Sequence, residues 1–284
     1  MRLIDIHTHG LAGADTRTED PEDIIRMALA HGSSGVSGIV PAIYPGAAAA
    51  MRKNMSAVRE AMEKQQGAGP AQIIGVHLEG PFLNPLRCGA LDKGSFLKPT
   101  EYNLKSLVEG FEDMIRIITL APEIDGAQGL IRRIRDMGIA VSMGHSDATY
   151  EEAEAGFKAG ATGITHIFNA MSGFRHRQPG LAAFGLLNRE VYIEVICDPF
   201  HLHPKTIELI FRTKNPERII IISDSIKGTR PGERGTTPVA DGSGRLLGGS
   251  MTIAESSKRL MDMGLAEDVI MRCISENPEG YLLS

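Results

Sequence analysis

Eight short runs rich in β-branched residues, separated by stretches of helical period, constrain this chain more than any other feature. They are Arg2 to Ile6, Val36 to Pro41, Ile73 to Glu79, Ile115 to Leu120, Ile139 to His145, Gly163 to Phe168, Val191 to Ile196 and Arg218 to Asp224. Helices are expected between them, over Pro21 to His31 with Asp20 as cap, Ala47 to Gln66, Thr100 to Phe111, Gly126 to Met137, Thr149 to Ala159 and Pro204 to Thr213. Repeated β-then-α units over about 250 residues fit a closed parallel (β/α)8 barrel of the TIM type. An open doubly wound sheet is the alternative, but no glycine-rich nucleotide turn follows the first run. No repeat, low-complexity segment or linker divides the 284 residues, so a single α/β barrel domain over residues 1–284 is expected.

Charge and composition exclude several partners. The net charge is −5 and there is no basic block, which argues against nucleic acid. No apolar run approaches the length of a membrane span, and with the first β-branched run beginning at Arg2 no secretory signal is expected. Cys88, Cys197 and Cys273 lie far apart, with neither disulfide nor thiolate-metal spacing, and are expected to be buried apolar residues in a reducing compartment. A cytoplasmic location is expected.

In such a barrel the chemistry lies where strands end, on the C-terminal face. The first strand ends in His7 and His9, and residues i and i+2 of a strand share a face, so both imidazoles point one way. The third run ends in Glu79 and the fifth in His145; the sixth carries His166, the seventh is followed by Asp198 and His201, and the eighth ends in Asp224. Each has an ordinary reading: a turn carboxylate for Glu79, a helix cap for His145, Ser146 or Asp147, a core histidine for His166, a strand end for Asp224. Their shared placement favours instead one or two divalent metals, zinc first and iron or another ion as alternatives. A metal with a carboxylate base implies hydrolysis, with Asp224 moving the proton and His201 hydrogen-bonding the carbonyl oxygen. His31 reads as helix-end surface, His77 as strand packing and His203 as a solvent-facing residue at a helix start. The Gly- and Pro-rich stretch from Lys227 to Gly249 is expected to be a functional loop.

The segments HTHG, GVHLEGPF, TLAPE, GHSDATYEEAEAGFKAGATGITHIFNAMSG, RQPGL and LLGGSMT, in that order along nearly the whole chain, resemble the N-acetylglucosamine-6-phosphate deacetylases of the amidohydrolase superfamily. The resemblance implies that Glu79, His145 and His166 hold the principal metal, that Asp224 is general base and acid, and that His7 and His9 match members with a second metal. It places substrate contacts on Asn169, Ala170, Arg177, the Asp198-to-His201 turn, Leu246, Leu247 and Gly248. It also implies a homodimer in which Arg177 reaches the sugar phosphate in the neighbouring site. Two departures stand out. The family's small β-sandwich is expected to be missing, and Leu91 stands where the family loop offers a histidine to the sugar.

The implied reaction removes acetate from a phosphorylated N-acetylamino sugar. The alternatives are hydrolysis of another N-acyl amine or cyclic amide, and a barrel that binds sugar phosphate without turnover.

Overall fold

Eight parallel strands with helices between them form a nearly closed barrel in the computed structural model, which describes residues 2–65, 70–233 and 235–284. The strands are β1 (Ile4–Thr8), β2 (Gly38–Ile43), β3 (Val76–Glu79), β4 (Ile115–Leu120), β5 (Ala140–Met143), β6 (Gly163–Ile164), β7 (Tyr192–Ile196) and β8 (Ile219–Ile222). Each pairs with the next in parallel. Beyond the ladder, β8 meets β1 where Asp224 N–H donates to His7 O (2.9 Å) and His9 N–H donates to Ser225 O (2.7 Å). These closing bonds set the residues after β8 directly against His7 and His9.

The helices are α1 (Pro21–Ser33), α2 (Ala48–Lys64), α3 (Glu101–Val108), α4 (Ala127–Asp136), α5 (Tyr150–Ala159), α6 (Gly180–Leu187), α7 (Pro204–Thr213), α8 (Ile253–Asp262), α9 (Glu267–Ile274) and α10 (Glu276–Leu282). Asp20 caps α1 as expected, accepting from Glu22 N–H. Gln66, the expected end of α2, lies outside the described residues, as does Arg234 of the loop after β8. The cap of α5 is Thr149, in a capping box with Glu152, and not His145, Ser146 or Asp147. The sequence pattern missed α6 because its side chains GLAAFGL are all buried, leaving no polar face to mark a helical period.

One apolar core lies between strands and helices. A second cluster joins Ile4, Ile6, Val40, Ile117, Ala140, Ile196, Ile220 and Ile222 to Tyr281 of α10. Among these apolar layers runs a buried polar chain: His77 Nε2 meets Thr119 Oγ1 at 2.7 Å, which meets Thr165 Oγ1 at 2.7 Å, which donates to Ser142 Oγ at 2.7 Å. Two expectations need correcting. His31 is fully buried, its Nε2 3.0 Å from Thr8 Oγ1 under the first strand. Cys88 is only half-buried, while Cys197 and Cys273 are buried; all three are free thiols. His203 is exposed and caps α7, as its position suggested. Among the described residues no helix is long and apolar enough to cross a membrane.

Candidate metal centre

His7 lies in β1, and Glu79 is the last residue of β3. His145, His166 and Asp224 follow β5, β6 and β8 on backbone with positive φ (47°, 30° and 48°). That region is unfavourable for residues with a Cβ, so three strand ends store strain at one rim. The turn bearing His145 is clamped by Glu123, whose carboxylate accepts from Ser146 Oγ (2.7 Å), Asp147 N–H (2.6 Å) and Asn84 Nδ2 (2.9 Å). Asn84 N–H in turn donates to His145 O.

The nitrogens converge. Glu79 Oε1 is 3.1 Å from both His145 Nε2 and His166 Nε2, which are 3.2 Å apart. Glu79 Oε2 is 3.1 Å from His9 Nε2, and His9 Nε2 is 3.3 Å from His7 Nε2. Asp224 Oδ1 lies 3.6 Å from His7 Nε2 and 3.7 Å from His9 Nε2. The structure thus brings Glu79, His145 and His166 into one group of donors and His7, His9 and Asp224 into another, with Glu79 between them.

The far side of each ring decides which nitrogen carries a proton. His145 Nδ1 is 2.8 Å from Arg87 O and His9 Nδ1 is 2.9 Å from Ala42 O; a carbonyl can only accept, so both Nδ1 atoms donate. In the neutral rings Nε2 is then a bare lone pair. Lone pairs facing a carboxylate at 3.1 Å repel unless a cation or a proton sits among them. Donor separations of 3.1–3.3 Å are the edges of a coordination polyhedron with bonds of about 2.0–2.1 Å, so these residues fit a divalent metal.

Burial disfavours a charged His7, yet its hydrogen bonds to Glu194 and Glu79 carry its pKa well above the imidazole range; His166 is raised by Glu79 in the same way. Burial pushes the Glu79 pKa up, but His9 and His145 outweigh it and hold it well below the carboxylate range. His77, buried against His7 (ring centroids 4.5 Å apart), is driven well below the imidazole range by burial and by that neighbour.

A cavity of about 440 Å³ opens over this cluster, walled by Glu79, His145, His166, Asn169, Ala170, His201, Asp224, Leu246, Leu247 and Gly248. Leu246–Gly248 pairs with Val239–Ala240 in the loop after β8. An added Cβ on Gly248 would sit 2.8 Å from Asp224 O, and one on Gly249 1.9 Å from Ser223 O, so only glycine lets this loop close on the strand end. Leu91 lies in the same wall. Asp198 does not: its carboxylate is occupied by Phe200 N–H, His201 N–H, His201 Nδ1 and Ser250. Those bonds outweigh burial and hold its pKa below the carboxylate range, and they hold His201 by Nδ1 in the cavity wall. Arg177 is exposed and lies outside the lining of its own chain's cavity.

Sequence reasoning missed Glu194, whose Oε2 is 3.0 Å from His7 Nδ1, and Tyr44, whose ring stacks on His9 at 3.9 Å. Glu123 was visible only as part of TLAPE, with no role attached to it.

The amidohydrolase family model matches residues 3–255. The N-acetylglucosamine-6-phosphate deacetylase of Bacillus subtilis (strain 168) is 34% identical over 271 residues, covering 94% of this chain and 66% of that protein. The N-acetylgalactosamine-6-phosphate deacetylase of Escherichia coli is 33% identical over 224 residues, covering 79% of this chain and 59% of that protein. The chain therefore spans 59% to 66% of the length of these curated relatives. The N-acetyl-D-glucosamine-6-phosphate deacetylase of Mycobacterium smegmatis superposes with a TM-score of 0.89 at 27% identity, covering 99% of this chain and 77% of that one. With the family match over most of its length and the histidine–carboxylate cluster at its strand ends, the chain belongs to the amidohydrolase family.

Proposed function

We propose that the chain is a metal-dependent hydrolase, one (β/α)8 catalytic domain over residues 1–284, that releases acetate from an N-acetylamino sugar, N-acetylglucosamine-6-phosphate first. The observation that carries this reading is the convergence of Glu79, His145 and His166 beneath a cavity that also exposes Asp224 and His201. The relatives' names supply the substrate class. Glu79, His145 and His166 hold the principal cation, and His7 and His9 a second; the donors suit zinc, with iron the alternative. A divalent cation there supplies Lewis acidity, polarising an amide carbonyl and acidifying water.

The chain's own groups do the rest. Asp224 Oδ1, beside His7 and His9 and open to the cavity, accepts the proton of the attacking water and passes it to the leaving nitrogen. His201, held through Nδ1 by Asp198, turns Nε2 to the cavity and, when protonated, donates to the carbonyl oxygen as charge develops there. Asn169, Ala170, Leu246, Leu247 and Gly248 line the space for the sugar. Arg177, exposed on a basic loop outside its own cavity, serves the phosphate in a second copy's site, so the active unit is a homodimer. Three free thiols fit a cytoplasmic enzyme.

One observation favours a second reading, in which the substrate is a different sugar or N-acyl amine: Leu91 gives the cavity an apolar wall. Acetate release by zinc-reconstituted protein decides between them, measured on N-acetylglucosamine-6-phosphate, its galacto epimer, both unphosphorylated sugars and a simple N-acetyl amine. The proposal expects the phosphorylated glucosamine derivative to be fastest. Arg177→Ala should raise KM for phosphorylated sugars alone, each lost charge-assisted bond costing roughly 1.5–3 kcal/mol. Equal rates with and without phosphate favour the second reading; no acetate from any of them, with folded and metal-loaded protein, removes both.

A further inference from the structure

His7 differs from the other histidines of the centre in what stands behind it. His9 and His145 rest Nδ1 on neutral backbone carbonyls, and His166 Nδ1 has no hydrogen-bond partner. His7 Nδ1 faces a carboxylate, Glu194 Oε2 at 3.0 Å, while its Nε2 looks toward His9, Glu79 and Asp224 at 3.3, 3.5 and 3.6 Å.

Glu194 is itself an anomaly. It is 1% exposed, its other oxygen has no hydrogen-bond partner, and among the described residues its ion-pair partner is His7. A buried carboxylate is costly unless positive charge lies close by. Glu79, Glu194 and Asp224 together carry three formal negative charges, and among the described residues their ion-pair partners are all histidines. A single dication leaves that group net negative; a second one reverses the sign.

We propose that Glu194 is the positioning residue that fills the second cation position: by accepting from His7 Nδ1 it aims the Nε2 lone pair at the space beside His9 and strengthens it as a ligand. This rests on the metal-dependent reading of the site. A carboxylate behind a ligating imidazole typically contributes 10–100-fold in metal affinity, about the loss expected here.

The test is cadmium and zinc binding by the full chain, read by metal content after dialysis and by cadmium-113 NMR. Wild type should hold two ions per chain and give two cadmium signals. Glu194→Met, which cannot accept the bond, should hold one ion and lose one signal. Glu194→Gln, which keeps an acceptor without the charge, should bind the second ion roughly 10–100-fold more weakly while keeping the first unchanged. If Glu194→Met fails to fold, the Gln variant carries the test through its second-ion affinity alone. Two ions bound as tightly in the variants as in wild type overturn the role of Glu194 and leave the metal reading standing. A wild type with only one ion overturns the second position, and one with no ion overturns both.

Discussion

The two arms of the centre are held by different means. His145 and His166 sit just beyond their strands, on left-handed backbone, and His145 is steadied by the Glu123 clamp. His7 lies inside β1, with His9 one residue past its end, and their rings are set by what Nδ1 touches: a buried carboxylate for one and a carbonyl for the other. In the first arm folding strain and turn bonds do the positioning; in the second, hydrogen bonds from the nearby strands β2 and β7 do it. Damage to each arm should therefore look different.

The largest effect is expected in the strained arm. His145→Ala or His166→Ala should strip the principal metal and abolish acetate release together, as checked by metal content and assay on the same preparation. Full occupancy in both variants would break the assignment of Glu79, His145 and His166. Asp224→Asn comes next: it should keep its metal but lose on the order of 10²-fold or more in kcat, because an amide cannot take the proton. A variant of near wild-type rate would place proton transfer on another group.

Metal affinity in both arms should also depend on pH. In the metal-free protein His7 and His166 have raised pKa values, so each holds a proton that a cation must displace. Affinity is therefore highest at alkaline pH and falls as pH drops through those raised values, by about tenfold per pH unit for each proton displaced. Isothermal titration in buffers of different ionisation enthalpy counts the protons. Release of none at or below neutral pH, with an affinity that does not change with pH, would contradict the reading of both histidines as protonated ligands.

The smallest effect concerns His31, which lies behind β1. Burial pushes its pKa down from 6.5 to about 3, so the folded state keeps it neutral where the unfolded chain takes up a proton. Its contribution to stability is complete above pH 6.5 and is lost as pH falls toward 3. At pH 5 the loss is about 2 kcal/mol. Urea unfolding at pH 7 and pH 5 should show it in wild type and not in His31→Gln.

Much of the strained arm was legible in the sequence, because HLEGPF, GHSDAT and THIFNAM each put a donor at the end of a β-branched run. Strand period brought His7 and His9 to one face for the same reason. Glu194 was not legible. It sits inside YIEVI, an ordinary strand pattern, and gains meaning only when barrel closure at β8 brings β7 within reach of β1. His31, followed by Gly32, Ser33 and Ser34, looks like a frayed helix end; the contact with Thr8 that buries it comes from a strand 23 residues away. Asp198 stood out as a cavity residue, yet its carboxylate is fully engaged in holding His201, three residues on, and Ser250, the second a partner that no local spacing announces.

We propose that this cluster makes the chain a metal-dependent deacetylase. The most direct test is a zinc titration of chelator-treated, dialysed full chain, following acetate release from N-acetylglucosamine-6-phosphate. Release should be absent without metal, should rise with the ions bound, and should not recover in His166→Ala at any zinc concentration. Acetate release by metal-free protein at the full rate, or none from folded, zinc-saturated wild type, would contradict it.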